Sequence, residues 1–217
     1  MKFIVFEGLD GAGKSTLIQK VQTYLQTQPT ESQRQSRKVE LVRDPGSTTL
    51  GEKLRNLVLD PVWSPASRTE VLLYQAARAQ LVSEKIRPFL AQKTWVLSDR
   101  FYSSTIAFQC YARELKREDI DWLNRYACEG LEPNLVIFID IPVEESAKRI
   151  QKRTAAIGTE QDRMEKENSA FHEKVRQGYL AQAKEDPERW LVLDGFLTPD
   201  QLFDEVLKCL RGKKWLD

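Results

Sequence analysis

The sequence predicts an α/β fold, a parallel β-sheet flanked by helices, from the order of its apolar patterns. Five short apolar runs are rich in strand-forming residues, and helical patterns separate them. The predicted strands are Lys2–Phe6, Val39–Val42, Thr94–Ser98, Leu135–Asp140 and Trp190–Asp194. Their nearly continuous apolar character indicates burial on both faces of a sheet. The alternation of strands with helices favours parallel pairing through right-handed crossovers.

The spacing of apolar residues predicts helices between and after these strands. The predicted helices are Thr16–Leu25, Ser67–Leu90, Arg117–Cys128, Val143–Arg153, Asp162–Ala183 and Pro199–Leu210. Ser67 with Glu70 fits a capping box, and Thr198 is the expected N-cap of the last helix. The polar segment Thr27–Lys38 contains no apolar residue, so it is expected to form an exposed loop.

The composition is that of an ordinary globular protein and predicts one domain over residues 1–217. The 217 residues are 41% hydrophobic and 30% charged, and this length is sufficient for a sizeable core. Lys and Arg number 33 against 32 Asp and Glu. The resulting net charge of +1 gives no support for nucleic acid or an anionic membrane as a partner.

Cysteine usage and hydropathy favour a cytoplasmic protein. The three cysteines are odd in number and form no C-x-x-C pair, which disfavours a disulfide framework or a zinc site. No apolar run approaches the ~18 residues of a membrane span. The first apolar run is too short for a signal peptide and ends at Glu7.

The segment Gly8–Ser15 matches G-x-x-x-x-G-K-[ST], the phosphate-binding loop of P-loop proteins. It lies between a predicted strand and a predicted helix, which is the expected context. Backbone N–H groups of such a loop surround phosphates, the lysine neutralises them, and the hydroxyl ligates Mg²⁺. The motif therefore predicts a three-layer fold of the P-loop NTPase type. The predicted nucleotide-binding residues are Gly8, Leu9, Asp10, Gly11, Ala12, Gly13, Lys14, Ser15 and Thr16.

Two further segments follow predicted strands and should lie near this loop, because ligands of open α/β sheets bind at the carboxyl ends of strands. Arg43 follows the second strand, and Pro45 with Gly46 forces a sharp turn after it. Asp99 and Arg100 follow the third strand. A carboxylate at Asp99 can hold Mg²⁺ or its waters, and the Arg100 guanidinium can bind a phosphate with two N–H groups.

A basic stretch between two predicted helices has the character of a lid. Its basic residues are Lys148, Arg149, Lys152, Arg153 and Arg163. The small residues of Thr154–Thr159 are expected to break the helical pattern there. We therefore predict a lid over approximately residues 149–162 that closes on phosphates, excludes water and brings arginines to the transferring group.

Taken together, these motifs resemble the nucleoside monophosphate kinases, and most closely the thymidylate kinase family. The resemblance covers nearly the whole chain. It rests on Phe6–Thr16, Arg43–Gly46, Gly51–Arg55, Leu72–Arg78, Asp99–Phe101, Ala107–Gln109, Gly130–Leu135 and Asp162–Glu165. It implies transfer of the γ-phosphoryl group of ATP to dTMP with Mg²⁺, a five-stranded parallel sheet, and a homodimer.

The resemblance also implies an acceptor site. The implied substrate-binding residues are Asp10, Arg43, Pro45, Arg55, Tyr74, Arg78, Arg100, Thr105 and Gln109. In this site Tyr74 would stack on the base, the Arg78 fork would reach its carbonyls, and Gln109 would offer both a donor and an acceptor. Arg55 and Arg100 would hold the 5′-phosphate. Asp10 would contact the sugar or organise the metal.

The implied chemistry is a direct, in-line phosphoryl transfer without a covalent intermediate. The variable positions of the P-loop contain no arginine, so the lid should supply one, as in the bacterial-type members of the family. The predicted catalytic residues are Lys14, Asp10, Asp99, Arg100, Arg149 and Arg153. The predicted metal-binding residues are Ser15 and Asp99.

Some positions depart from the family pattern, and some alternatives stay open. Asp44 stands where the family usually has glutamate, and Tyr74 stands where phenylalanine is common. A kinase for another pyrimidine monophosphate, such as dUMP, and a non-catalytic nucleotide-sensing module are the alternatives. A GTP-binding switch is disfavoured, because the sequence contains no guanine-reading N-K-x-D tetrapeptide.

Overall fold

Five parallel strands form the central sheet of the structure, a computed structural model that describes residues 1–27, 37–158 and 160–216. The strands are β1 (Phe3–Gly8), β2 (Val39–Arg43), β3 (Trp95–Asp99), β4 (Leu135–Asp140) and β5 (Trp190–Asp194). Their order across the sheet is β2-β3-β1-β4-β5, and every pairing is parallel. The predicted α/β fold with five parallel strands is therefore confirmed. Burial on both faces is confirmed for β1, β3 and β4. It is wrong for the edge strands β2 and β5, which leave Leu41 and Val192 exposed because each has a neighbouring strand on one side only.

The register of the strands brings three predicted functional segments to one edge of the sheet. Phe6 of β1 and Arg43 of β2 both pair with Asp99 of β3. Gly8, where β1 ends, pairs with Ile139 of β4. The loops that follow these strands therefore start side by side at the carboxyl edge.

Nine α-helices are present in the described part of the chain. They are α1 (Lys14–Thr27), α2 (Thr49–Leu59), α3 (Ser67–Leu81), α4 (Arg87–Ala91), α5 (Tyr102–Thr105), α6 (Arg117–Cys128), α7 (Val143–Ile157), α8 (Ser169–Glu185) and α9 (Pro199–Gly212). A π-helical segment, Val82–Ile86, joins α3 to α4, and another, Ile106–Ala112, extends α5. The long predicted helix Ser67–Leu90 is thus one helical run that contains a π-helical segment.

Both faces of the sheet are packed with apolar side chains, as the unbroken strand patterns predict. On one face, Ile4 and Phe6 of β1 belong to the core that contains residues of α1, α8 and α9. On the other face, Phe3 and Val5 pack in a core with Leu81 and Cys128, among others. The alternation of these β1 side chains between the two cores is the period of a strand. This packing fixes the edge from which the functional loops leave the sheet.

Two helix-end predictions are wrong, for physical reasons visible in the structure. Helix α7 does not break at Thr154 but continues to Ile157, because alanines favour the helix, and it ends at Gly158 with φ +65°. Helix α8 begins at Ser169 and not at Asp162, since Asn168 caps it. Asp162 instead accepts backbone hydrogen bonds from Met164 and Glu165 and forms a turn.

Of the two predicted helix caps, one is confirmed and one is wrong. At the start of α9, Thr198 forms a full capping box with Gln201, as expected. At the start of α3, the N-cap is Ala66 and no side chain caps the helix, so the Ser67–Glu70 capping box is wrong. The carboxylate of Glu70 is instead buried in a network of tertiary contacts. The predicted loop Thr27–Lys38 lies largely outside the described residues, which exclude 28–36.

No helix in the described ranges has both the length and the apolar character needed to cross a membrane.

Candidate active site

The loop between β1 and α1 has the backbone conformation that its glycines permit. Gly11 and Gly13 have φ values of +78° and +98°, which L side chains rarely adopt. A Cβ at Gly11 would also lie 3.0 Å from the Cβ of Arg149. Helix α1 begins directly at Lys14 and has no acidic residue in its first turn. Its free N–H groups and positive dipole end therefore remain unneutralised and suit an anion.

Lys14 is buried and is held by the loop that carries it. Its ammonium donates hydrogen bonds to the carbonyl oxygens of Gly8 and Leu9, each at 3.0 Å. The carboxylate of Asp10 lies 3.7 Å away. Burial lowers the pKa of Lys14, because a charged amine loses its hydration there.

Arg100 and Asp10 form an ion pair beside Lys14. Nη2 of Arg100 lies 2.9 Å from Oδ1 of Asp10, and Nη1 donates to the hydroxyl of Tyr179 at 2.9 Å. Burial opposes ionisation of Asp10, but the charges of Arg100 and Lys14 outweigh it and lower its pKa. Arg100 is also one of few non-glycine residues with a left-handed backbone, at φ +69°.

Sequence reasoning missed the buried group that supports Arg100. Glu7 is fully buried and accepts hydrogen bonds from the Phe101 N–H, the Ser104 hydroxyl and the Tyr179 hydroxyl, at 3.0, 2.7 and 2.9 Å. Burial raises the pKa of Glu7, although Arg100 acts against this effect. An acidic residue inside an otherwise apolar strand was the available signal, since a buried carboxylate requires such partners.

Two adjoining cavities lie at the carboxyl edge of the sheet. We call the first the phosphate cavity; it has a volume of about 460 Å³ and is lined by the P-loop. Its lining includes Asp10, Gly11, Gly13, Lys14, Ser15, Thr16, Arg43, Asp99, Arg100, Arg149 and Arg153. The other predicted P-loop residues, Gly8, Leu9 and Ala12, are buried behind it.

The second cavity, the inner cavity, brings together most of the residues predicted for the acceptor. They are Asp10, Pro45, Arg55, Tyr74, Arg78, Arg100, Thr105 and Gln109. Arg43 is the exception, because it lines the phosphate cavity and pairs with Glu52 at 3.0 Å. Asp10, Arg55 and Arg100 line both cavities, so two ligands bound side by side would meet at these residues.

Arg78 is held more tightly by the protein than the sequence indicates. Its Nε lies 2.5 Å from Oδ2 of Asp44, and the two side chains are 2% and 0% exposed. Nη1 donates to Gln75 and Asn124, and Nη2 to the Phe101 carbonyl. A guanidinium has five N–H donors, and these four contacts use four of them. One N–H therefore remains for a ligand, whereas the family resemblance implied that two would be available.

Arg78→Met is expected to destabilise the protein by about 3–5 kcal/mol, because it leaves the Asp44 carboxylate buried and unpaired. Urea denaturation measures this loss. The double variant Arg78→Met/Asp44→Asn removes both charges and should recover a large part of it. A loss below about 1 kcal/mol, the size of a surface ion pair, would contradict the buried pairing.

The carboxylate of Asp99 suits a hard cation. Its Oδ1 is buried and has no hydrogen-bond partner in the structure. Ser15 and Asp99 line the phosphate cavity together. Across the ranges that the structure describes, no cluster of three or more His, Cys, Asp or Glu could hold a metal ion. These residues fit Mg²⁺, which is usually bound by one or two protein groups together with phosphates and water.

The two arginines predicted for the lid differ in how they are held. Arg149 donates to Glu145 at 2.6 Å and to the carbonyl oxygens of Gly11 and Gly195. Arg153 is 44% exposed and pairs with Glu165 at 2.5 Å. Both line the phosphate cavity. Arg153 therefore needs to exchange one contact to reach a ligand, whereas Arg149 needs to exchange three.

Two adjoining cavities that share Asp10 and Arg100, one of them lined by a P-loop, fit an enzyme of the nucleoside monophosphate kinase class, a phosphotransferase. Comparisons with known proteins agree with this class. The chain belongs to the thymidylate kinase family, because the family model described as thymidylate kinase matches residues 6–206.

Curated relatives named thymidylate kinase match along nearly the whole chain. The relative from Bdellovibrio bacteriovorus is 45% identical over 217 residues, which cover 100% of this chain and 98% of the relative. The relative from Thermosipho melanesiensis is 41% identical and covers 96% of both chains. The relative from Kosmotoga olearia is 39% identical over 95% of this chain and 93% of its own.

Proposed function

We propose that this protein transfers the γ-phosphoryl group of ATP to dTMP and releases dTDP and ADP. The observation that carries the proposal is the junction of two cavities at Asp10 and Arg100. One cavity contains the P-loop, and the other contains the residues expected to bind the acceptor. Two nucleotides placed in this way meet end to end, which supports direct in-line transfer.

On the donor side, the ATP phosphates occupy the P-loop and the N-terminus of α1. Lys14 exchanges its hydrogen bonds to the Gly8 and Leu9 carbonyls for phosphate oxygens. Ser15 and Asp99 would hold Mg²⁺ in the phosphate cavity. When Mg²⁺ is bound, its charge offsets that of the β- and γ-phosphates.

On the acceptor side, Arg55 and Arg100 hold the 5′-phosphate of dTMP. Both line the two cavities, and Arg55 is positioned by a hydrogen bond of 3.1 Å to the Pro45 carbonyl. The base lies deeper in the inner cavity, against Tyr74, with Gln109 at its edge. Asp10 contacts the sugar near the junction. The protein thus contributes positioning and positive charge, which carry most of the catalysis in phosphoryl transfer.

The test is ADP release from Mg·ATP with dTMP, dUMP, dCMP, dGMP, AMP and UMP as acceptors. We expect kcat/KM for dTMP to exceed that for each of the others by about tenfold or more, a difference of ~1.4 kcal/mol. Preference for another acceptor would overturn the proposed specificity and leave the kinase chemistry standing. Folded protein that phosphorylates none of them would favour the nucleotide-sensing module.

We further propose that residues 149–162 act as the lid and that Arg153 is its arginine at the transferring phosphoryl group. Arg153→Ala is expected to lower kcat on the order of 10²-fold or more and to change ATP affinity much less, because the charge acts mainly in the transition state. Stopped-assay kinetics give kcat, and calorimetric titration gives the dissociation constant.

Arg211→Ala is the matched control, since Arg211 is an exposed arginine on α9 with a 3.4 Å contact to Tyr24. Its kcat should equal that of the unaltered protein. A normal kcat in Arg153→Ala would move the lid role to Arg149.

We infer that the protein is a homodimer whose interface includes exposed apolar side chains of α2, α3 and α6. They are Leu50, Leu57, Leu72, Trp122 and Tyr126, all more than 40% exposed. The Trp122 and Tyr126 rings stack on each other at 5.4 Å on α6. Helix α3 packs against both α2 and α6, and exposed apolar side chains on adjoining helices typically mark an interaction surface. Sedimentation velocity tests the inference: a monomeric mass at micromolar concentration would reject it.

A cytoplasmic location is part of the same proposal. All three cysteines are free, which suits a reducing compartment. Recovery of the activity in the membrane or secreted fraction of the source cells would contradict it.

A further inference from the structure

A buried carboxylate that the proposed chemistry does not use stands next to the inner cavity. Glu70, on α3, is 1% exposed. It accepts hydrogen bonds from Nε2 of Gln109 at 2.9 Å, from Nε and Nη2 of Arg113 at 3.2 and 3.1 Å, and from Nη1 of Arg163 at 2.6 Å. One carboxylate therefore joins α3 to the second π-helical segment and to the turn that follows the lid.

This carboxylate is ionised and can only accept hydrogen bonds. Burial opposes its ionisation, but hydrogen bonds from Arg113 and Gln109 prevail and lower the pKa of Glu70. An ionised carboxylate has no proton to donate. It can therefore hold the amide of Gln109 only through the NH₂ group, and the flipped amide would place its oxygen against a negatively charged oxygen.

The orientation of this amide determines what the inner cavity offers a ligand. Gln109 is itself 1% exposed and lines the cavity. With its NH₂ group turned toward Glu70, its Oε1 accepts no hydrogen bond from the residues that the structure describes. The Oε1 atom has no hydrogen-bond partner in the described part of the chain and is not itself buried, so a ligand in the cavity can reach it. The cavity thus presents an acceptor at this point.

We propose that Glu70 is a positioning residue for base specificity, which fixes Gln109 so that its amide oxygen selects a pyrimidine with an N–H group at ring position 3. This inference rests on the proposed function, because it takes a pyrimidine monophosphate as the acceptor in the inner cavity. Glu70 acts through Gln109 and does not touch the substrate.

The chemistry of the bases gives this arrangement its selectivity. Thymine and uracil carry N–H at position 3 between two carbonyl groups, so they donate to the Gln109 oxygen. The remaining N–H of Arg78 can donate to a neighbouring carbonyl. Cytosine has a lone pair at position 3, which would face the Gln109 oxygen without a proton between them. A site built to hydrogen-bond a donor discriminates strongly against a ligand that lacks it.

The first test is Glu70→Gln, assayed with dTMP and dCMP. The amide that replaces the carboxylate can donate as well as accept, so Gln109 is free to present its NH₂ group to the cavity. We expect the ratio of kcat/KM for dTMP to that for dCMP to fall by about tenfold or more, mainly through KM for dTMP. KM for ATP should change less than about twofold, since Glu70 is not in the phosphate cavity.

Glu167→Gln is the matched control. Glu167 accepts a hydrogen bond from the same Nη2 of Arg113, at 2.5 Å, whereas the amide of Gln109 donates to Glu70 and not to Glu167. This variant loses an equivalent charge contact and should keep the dTMP-to-dCMP ratio of the unaltered protein. A fall of that ratio in Glu167→Gln would trace the effect to Arg113 and overturn the role of Glu70.

The double variant Glu70→Gln/Gln109→Glu exchanges the two side chains and conserves the charge of the cluster. Gln at 70 then donates to Glu at 109, whose second oxygen again offers an acceptor to the cavity. We expect this variant to regain most of the dTMP-to-dCMP ratio, and it supplies the test if Glu70→Gln does not fold. An unaltered ratio in Glu70→Gln, or an equal loss for both nucleotides without recovery in the exchange, would overturn the proposal.

The outcomes separate this inference from the proposed function. If the unaltered protein does not phosphorylate dTMP, the proposed function fails before any variant is compared. If it prefers dTMP and Glu70→Gln keeps that preference, the role of Glu70 alone fails.

Discussion

Lys14→Ala is expected to abolish phosphoryl transfer while the fold remains intact. The ammonium lies at the start of α1, in the phosphate cavity, where no other lysine contributes to the lining. In phosphoryl-transfer enzymes, removal of a cationic side chain that contacts the transferring phosphoryl group lowers kcat on the order of 10³-fold or more. The expected decrease in kcat is therefore at least of this size, measured as ADP release at saturating dTMP and ATP.

The fold should survive because Lys14 makes few structural contacts. Its ammonium donates hydrogen bonds to two carbonyl groups of its own loop. Burial lowers the pKa of Lys14, so the charged side chain adds little to the stability of the fold. We expect the free energy of unfolding to change by about 1–2 kcal/mol or less. Lys20→Ala, on the same helix, removes a half-buried lysine that pairs with Asp200 and lines neither cavity, and it should leave kcat unchanged. Normal turnover by Lys14→Ala would refute the P-loop assignment.

Arg100→Lys is expected to have the second largest effect, on the use of dTMP. The guanidinium lies where the two cavities join, 15% exposed, and its two terminal nitrogens bond to Asp10 and Tyr179. Lysine keeps the charge but loses the planar pair of donors that suits a phosphate. We expect kcat/KM for dTMP to fall on the order of 10²–10³-fold, the usual loss when a pre-positioned donor is removed.

The affinity for ATP should change much less in Arg100→Lys, because the donor phosphates are bound chiefly by the P-loop. Calorimetric titration with a non-hydrolysable ATP analogue measures it. Arg87→Lys serves as the control, since Arg87 pairs with Glu129 and lines neither cavity. An equal loss of affinity for both nucleotides would place Arg100 on the donor side instead.

The sheet and the location of the site could be predicted from the sequence because their signals are local. The central strands β1, β3 and β4 are short, mainly apolar runs, as expected of parallel strands that are buried on both faces. The same rule that places ligands at the carboxyl ends of strands brought Arg43, Asp99 and the P-loop to one edge. These inferences needed only residues close together in the chain.

The parts that sequence reasoning missed depend on contacts between distant residues. Helix α2 was not predicted, and few of its residues reach the core: Gly51 and Val58 are buried, whereas Leu50 and Leu57 are exposed. Glu70 has the spacing of a capping box, but its partners Arg113 and Arg163 lie 43 and 93 residues away. No local pattern distinguishes these two roles, since the competing interaction exists only after folding.

The wall that the two cavities share has a thermodynamic consequence. In the proposed ternary complex, each nucleotide brings negative charge beside the same guanidinium of Arg100, so we expect binding of one to alter the binding of the other. Linkage requires the effect to be reciprocal: the factor by which dTMP changes the dissociation constant of ATP equals the factor by which ATP changes that of dTMP. A single coupling energy therefore describes the ternary complex, whichever nucleotide arrives first.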